Sequence, residues 1–138
     1  MTIDELLVEY QTATGGMEPG ALRPFLQGLE DAGATLEASL ISKVSEPASW
    51  VVVMVTTLGL ASVGVRYVSV PNRPLGWWVD GAIHDWGSVH GLDLVYQGRF
   101  GEDPSWMVAL AHPEMKLSDR DPAKIRGFAA AIVRHVSR

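Results

Sequence analysis

Apolar positions in this chain follow two periods, and the switch between them divides it into helix-forming ends and a strand-forming middle. Ile3, Leu6, Leu7 and Tyr10 share one helical face, and Thr2 followed by Glu5 matches a capping box, so a helix is predicted through about Gln11. Thr12 to Gly20 carries Gly15, Gly16, Pro19 and Gly20 and reads as a loop. Leu22, Phe25, Leu26 and Leu29 then return to helical spacing, with Pro24 suited to a first turn and Gly33 to a stop, giving a second helix to about Ala32.

From Ala34 the period becomes two. Leu36, Ala38 and Leu40 alternate with Glu37 and Ser39, the pattern of a half-exposed strand. Trp50 to Thr57 is apolar on both faces, as a central strand is. Leu60 to Val70 forms a third strand, with Gly64 expected as a bulge or bend. Turns are expected at residues 45–48 and 71–74. Gly76 to Gly91 is read as a strand near Trp77 to Asp80 followed by an irregular segment or a second short strand, because Gly76, Gly81 and Gly87 break both periods. Leu92 to Gln97 alternates, residues 101–104 make a turn, and Trp106 to Ala111 is expected to be the last strand, the two pairing as a hairpin. The final element is a helix from Asp121 to about Val136. Asp121 is its N-cap, Pro122 its first residue, and Ile125, Phe128, Ala129, Ile132, Val133 and Val136 its apolar stripe.

These elements predict one α+β domain over residues 1–138: a helical segment at 1–33, an antiparallel sheet or small barrel of six or seven strands at 34–112, and a capping amphipathic helix at 121–136. The apolar fraction of 47% and charged fraction of 20% are those of a globular chain. Cysteine is absent, which excludes disulfides, thiolate metal sites and cysteine nucleophiles and fits a reducing compartment. The acidic start, Met1-Thr2-Ile3-Asp4-Glu5, has no signal-peptide pattern, so a cytoplasmic location is expected. Pro47 to Val65 is free of charge and nearly long enough to span a bilayer, but its Val, Thr, Ser and Gly content favours two buried strands over a membrane helix.

Charge is unevenly placed. Eight acids against Arg23 and Lys43 give the first 48 residues −6, and six acids against three arginines give residues 49–115 −3. Six bases against Asp119 and Asp121 give the remainder +4. No basic face of the size that counterion release requires is present, so nucleic-acid binding is not expected. The basic last helix, with Arg126 and Arg134, could meet an acidic protein partner, and Arg134 also complements the negative helix end.

Asp80, His84, Asp85, His90 and Asp93 are the richest polar cluster and stand beside tryptophans. Imidazole and carboxylate suit zinc or iron, yet no metal spacing is matched, and polar turn residues account for the cluster equally. Ser88 near His84 and Asp85 lacks the strand-to-helix elbow of a hydrolase, and no phosphate-binding glycine loop occurs. No catalytic residue, metal or cofactor is therefore assigned.

Five tryptophans are unusual for this length. Trp50 and Trp106 lie on predicted strands and are expected in the core. Trp77 and Trp78 are adjacent and must point to opposite faces of a strand, so at least one is a candidate for exposure. Trp77, Trp78 and Trp86, with Arg126 and Arg134, are the candidate interface for a protein partner or a second copy of the chain. The competing reading is a small-molecule-binding protein or small enzyme with a pocket around Trp78, His84, Trp86 and His90, with Asp80 and Asp93 also candidate pocket residues. A secretion or assembly chaperone is a third.

The succession Trp50-Val51-Val52-Val53-Met54-Val55-Thr56, then Leu60 to Val70, Leu92 to Gln97, Trp106 to Ala111 and the helix Pro122 to Val136, resembles the pleckstrin-homology-like fold of bacterial PH and GRAM-type domains over about three-quarters of the chain. The resemblance implies seven strands, of which six are legible here, arranged as a small barrel stoppered by a helix. Members that bind phosphoinositides use basic residues between the first two strands. Val44-Ser45-Glu46-Pro47-Ala48-Ser49 offers an acid and no base, so that property is not carried over. The expected function is a non-catalytic protein-interaction or assembly domain, homodimeric or with another protein.

Overall fold

A computed structural model describes residues 1–16, 19–43, 49–68, 76–98, 100–119 and 121–136. The order is α1 (Ile3–Ala13), α2 (Arg23–Asp31), β1 (Leu36–Lys43), β2 (Ser49–Thr56), β3 (Gly59–Val68), β4 (Gly76–Asp85), β5 (Asp93–Gln97), β6 (Ser105–Leu110), β7 (Met115–Ser118) and α3 (Pro122–Val136). Strands β1-β2-β3-β4 make one antiparallel sheet and β5-β6-β7 a second, and among the described residues the two do not close into a barrel. Among the described residues no helix is long and apolar enough to cross a membrane.

The helices begin where local chemistry starts them. Thr2 Oγ1 accepts from the Glu5 amide at 3.1 Å, which caps α1. Pro24 stands in the first turn of α2, and Gly33 follows that helix with φ of 90°, a conformation that glycine adopts without strain. Asp121 Oδ1 accepts from the Ala123 amide at 3.0 Å at the start of α3.

β2 alternates between two cores. Val52 and Met54, with Ala61, Val63 and Val65 of β3, pack under Leu6, Leu7 and Tyr10 of α1 and Leu26 and Leu29 of α2. Val53 and Val55, with Leu40 and Leu60, pack against Ile125, Phe128 and Ile132 of α3 and Val108, Leu110 and Leu117 of the second sheet. The four-stranded sheet is thus sandwiched between the N-terminal helices and a layer formed by α3 and the three-stranded sheet.

Four expectations change. Gly64 is neither bulge nor bend, because it pairs in unbroken register with Val51 and Asp80. The irregularity lies in β1, between Leu36 and Ala38, so Glu37 is the extra residue, and its carboxylate stands 2.9 Å from His135 Nε2 on α3. Gly76 to Asp85 is one continuous strand paired along its whole length with β3, since the register supplied by β3 overrides the glycines. A seventh strand, β7, follows the one expected to be last, and its four residues are too few to show a period. On α3, Val133 is exposed while Ala131 is fully buried, so the packed face is turned relative to the stripe. The turns expected at 45–48 and 71–74 lie outside the described residues.

The turn joining β2 to β3 is built by Thr56, whose hydroxyl donates to the Gly59 carbonyl at 2.8 Å and accepts from the amides of Leu58 and Gly59. A side chain on Gly59 would collide with the carbonyl of His84 on β4. Gly59→Ala is accordingly expected to cost about 1–3 kcal/mol by forcing the strands apart, read as a lower urea midpoint in chemical denaturation. Tyr10 is fully buried between α1 and the sheet, and its hydroxyl has no hydrogen-bond partner among the described residues. Burial raises its phenol above the ordinary 10.0. The unfolded chain therefore ionises first, and stability should fall as pH rises through and above about 10. Tyr10→Phe is expected to leave stability at neutral pH unchanged or raised by about 1 kcal/mol and to remove that alkaline loss, measured by thermal unfolding across pH.

Candidate functional site

β4 is the outer strand of the larger sheet, and the two covering layers reach it only in part. The residues from Trp78 to Ile83 are all exposed, Trp78 at 53%, Val79 at 37% and Ile83 at 42%. The nearest cover is Phe25 of α2, whose ring occupies the space a side chain on Gly81 would fill, with Cε2 2.6 Å from the position of such a Cβ.

Antiparallel register places Trp78 beside Arg66 and Asp80 beside Gly64 on β3. The Arg66 guanidinium lies 5.6 Å from the Trp78 ring centroid, in range for a cation–π contact. These residues, with Ser49, Trp50, Val51 and Ser62, line a groove of about 380 Å³. Its lining combines small side chains with the indoles of Trp50 and Trp78, and Arg66 and Asp80 supply opposite charges. Neither charge is engaged in an ion pair among the described residues. Trp77 belongs to β4, but its side chain lies outside what the structure describes.

Trp86 stands in a different environment. It follows β4 in a short 3-10 turn, donates from Nε1 to the Thr56 carbonyl at 3.0 Å, and stacks on His135 of α3 with ring centroids 4.4 Å apart. Those contacts fasten the β4–β5 corner to α3 and leave the indole half-buried. Trp50 and Trp106 are also half-buried, each packed against one of the two cores.

The candidate pocket residues divide between two places. His84 and His90 converge on His112, with ring centroids 5.7 and 5.6 Å from it. His90 and His112 also form an isolated backbone bridge. Trp78 lies about 20 Å from His84 along the strand, and Asp80 about 13 Å. Asp93 opens β5 opposite Ala109 and is exposed. No group of three or more histidine, aspartate or glutamate side chains among the described residues is arranged to hold a metal ion. The Ser88 hydroxyl donates to the Asp85 carbonyl at 2.9 Å and is thereby used within the turn.

On α3, Arg126 and Arg134 are exposed, while Lys124 is taken by Glu9 of α1. Arg134 borders a shallow hollow of about 760 Å³ with Met1, Leu36, Glu37, Thr57 and His135, on a side of the molecule defined by β1 rather than β4. Arg66, Ser62 and His112 were not singled out from the sequence. Arg66 and Ser62 become site residues only through the β3–β4 register, and His112 only through its bridge to His90. No protein-family model, no curated protein and no solved structure matches this chain.

Proposed function

We propose that this protein is a non-catalytic interaction domain that holds a protein partner along β4, with Trp78 as its anchor. The observation that carries the reading is the exposed Trp78 indole, held by Arg66 at the mouth of a groove beside an uncovered strand. A half-exposed tryptophan in a pocketed setting is the residue type that concentrates binding energy in interfaces. Among the described residues no strand pairs with the outer edge of β4, and its backbone donors and acceptors suit an extended segment. Seven strands in sheets of four and three, followed by a helix, also support a pleckstrin-homology-like scaffold, on which function is carried by the surface and not by the fold. The absence of cysteine supports placing the domain in the cytoplasm.

A second reading is favoured by the groove's volume, which lies within the range of small-molecule sites. Its ligand would be amphipathic, with an apolar part against Trp78 and charged ends toward Arg66 and Asp80. The earlier grouping of Trp78 with His84 and His90 does not describe this site, because the histidines gather at the far end of the strand.

Affinity capture with the tagged chain separates these readings. Trp78→Ala should weaken retention of a specific protein by about tenfold or more while leaving the circular dichroism spectrum unchanged, since the side chain is largely in water. Arg126→Ala, on α3, should retain it. Capture that Trp78→Ala does not alter would rule out the β4 reading.

A further inference from the structure

We propose that β4 is a self-association edge, on which two copies of the chain pair antiparallel about a twofold axis through Ala82 to form one continuous eight-stranded sheet. This rests on the reading of β4 as the interaction surface and names the occupant of its edge. β4 is ten residues long, it carries neither lysine nor proline, and Trp78, Val79, Asp80, Gly81, Ala82 and Ile83 are all exposed. Lysine, proline, bulges and shortness are among the means of keeping an edge strand from pairing, and this edge has none of those four, its charges being Asp80 and Asp85.

The chemistry of the strand selects the register. In a twofold antiparallel pair, residues directly opposite share a face of the sheet, so the axis must pass through a residue. An axis at Asp80 would set the two Asp80 carboxylates directly opposite each other, which is unfavourable. An axis at Gly81 would leave them as diagonal neighbours. An axis at Ala82 sets Asp80 opposite the partner's His84, twice by symmetry, where an imidazole N–H can donate to the carboxylate. It also leaves only the small Ala82 side chains at the axis itself. On the opposite face, Ile83 falls opposite the partner's Gly81, the position over which Phe25 is laid within each chain. The isoleucine then meets the Phe25 ring across the pair, because that ring already fills the space above Gly81. Of the registers centred on Asp80, Gly81 and Ala82, charge favours the last, and every contact in it but the axial Ala82 pair occurs twice.

Sedimentation velocity on the full chain should show a concentration-dependent dimer. The chain has no cysteine, so Ala82→Cys introduces a single thiol whose counterpart lies directly across the axis, within disulfide reach. Mild oxidation is expected to convert most of this variant to a covalent dimer. Asp80→Cys, with its counterpart about 13 Å away along the pair, should remain uncrosslinked. Ile83→Lys, at an exposed position, should weaken the dimer by about tenfold with an unchanged circular dichroism spectrum. A monomer at every concentration, with the Ala82→Cys thiol left free, overturns the proposal. So does a dimer that Ile83→Lys leaves intact. A monomer that still retains another protein through Trp78 overturns self-pairing alone and leaves the interaction reading standing.

Discussion

From Val52 to Thr56, β2 is closed to water on both faces, and every layer of the molecule is organised by that fact. A strand with side chains alternating between two faces can be buried on both only if two separate sets of apolar residues arrive to cover it. The N-terminal helices supply one set through Leu6, Leu7, Tyr10, Leu26 and Leu29. The C-terminal helix and the smaller sheet supply the other through Phe128, Ile132, Val108 and Leu117. Segments distant in sequence are thus drawn together by a single stretch of valine and methionine. The join is reinforced at the sheet's edge, where Glu9 of α1 pairs with Lys124 of α3 across β1.

That arrangement explains why the two edges of the larger sheet differ. β1 is bounded by α1, α3 and β7, with Ser42 Oγ donating to the Ser118 carbonyl at 3.3 Å and Glu37 turned by the bulge toward His135. β4 stands on the far side of β3, where among the described residues Phe25 covers Gly81 on one face and His112 meets His84 on the other, and the rest from Trp78 to Ile83 is exposed. Covering layers of finite width, centred on β2, leave the strand furthest from them in water. The exposed position of Trp78 follows from this geometry of cover as much as from its own chemistry.

The sequence showed clearly what depends on local patterning. The two N-terminal helices, the capped α3 and the doubly apolar β2 were all legible because each carries its signal within a few residues. β4 was not legible as one strand, since Gly81 interrupts its period, Gly76 and Gly87 flank it, and ten consecutive pairings with β3 define it. The same long-range register assembles the groove. The adjacency of Trp77 and Trp78 made exposure of at least one of them foreseeable, and Trp78 is exposed. Its contact with Arg66 was not foreseeable, because nothing in one strand states which residue of the next will lie beside it. Trp86 illustrates the converse, since its grouping with Trp78 by proximity in sequence separated in space once the corner after β4 carried it to Thr56 and His135.

The smaller sheet ends in an exposed strand too, and comparison of the two edges isolates what is particular to β4. β5 has five residues, and its exposed Tyr96 already lies against Trp106 within the chain, with ring centroids 4.7 Å apart. A strand this short offers few backbone groups to an incoming chain, and brevity is itself a form of edge protection. β4 is twice as long, and it keeps Val79 and Ile83 in water on one face and Trp78 on the other. Apolar side chains on both faces of a free edge are stabilised by any chain that extends the sheet, because added strands cover them while satisfying backbone donors and acceptors together. The two edges belong to one molecule and one solvent, so the contrast between them lies in the length of β4 and in the side chains it leaves exposed.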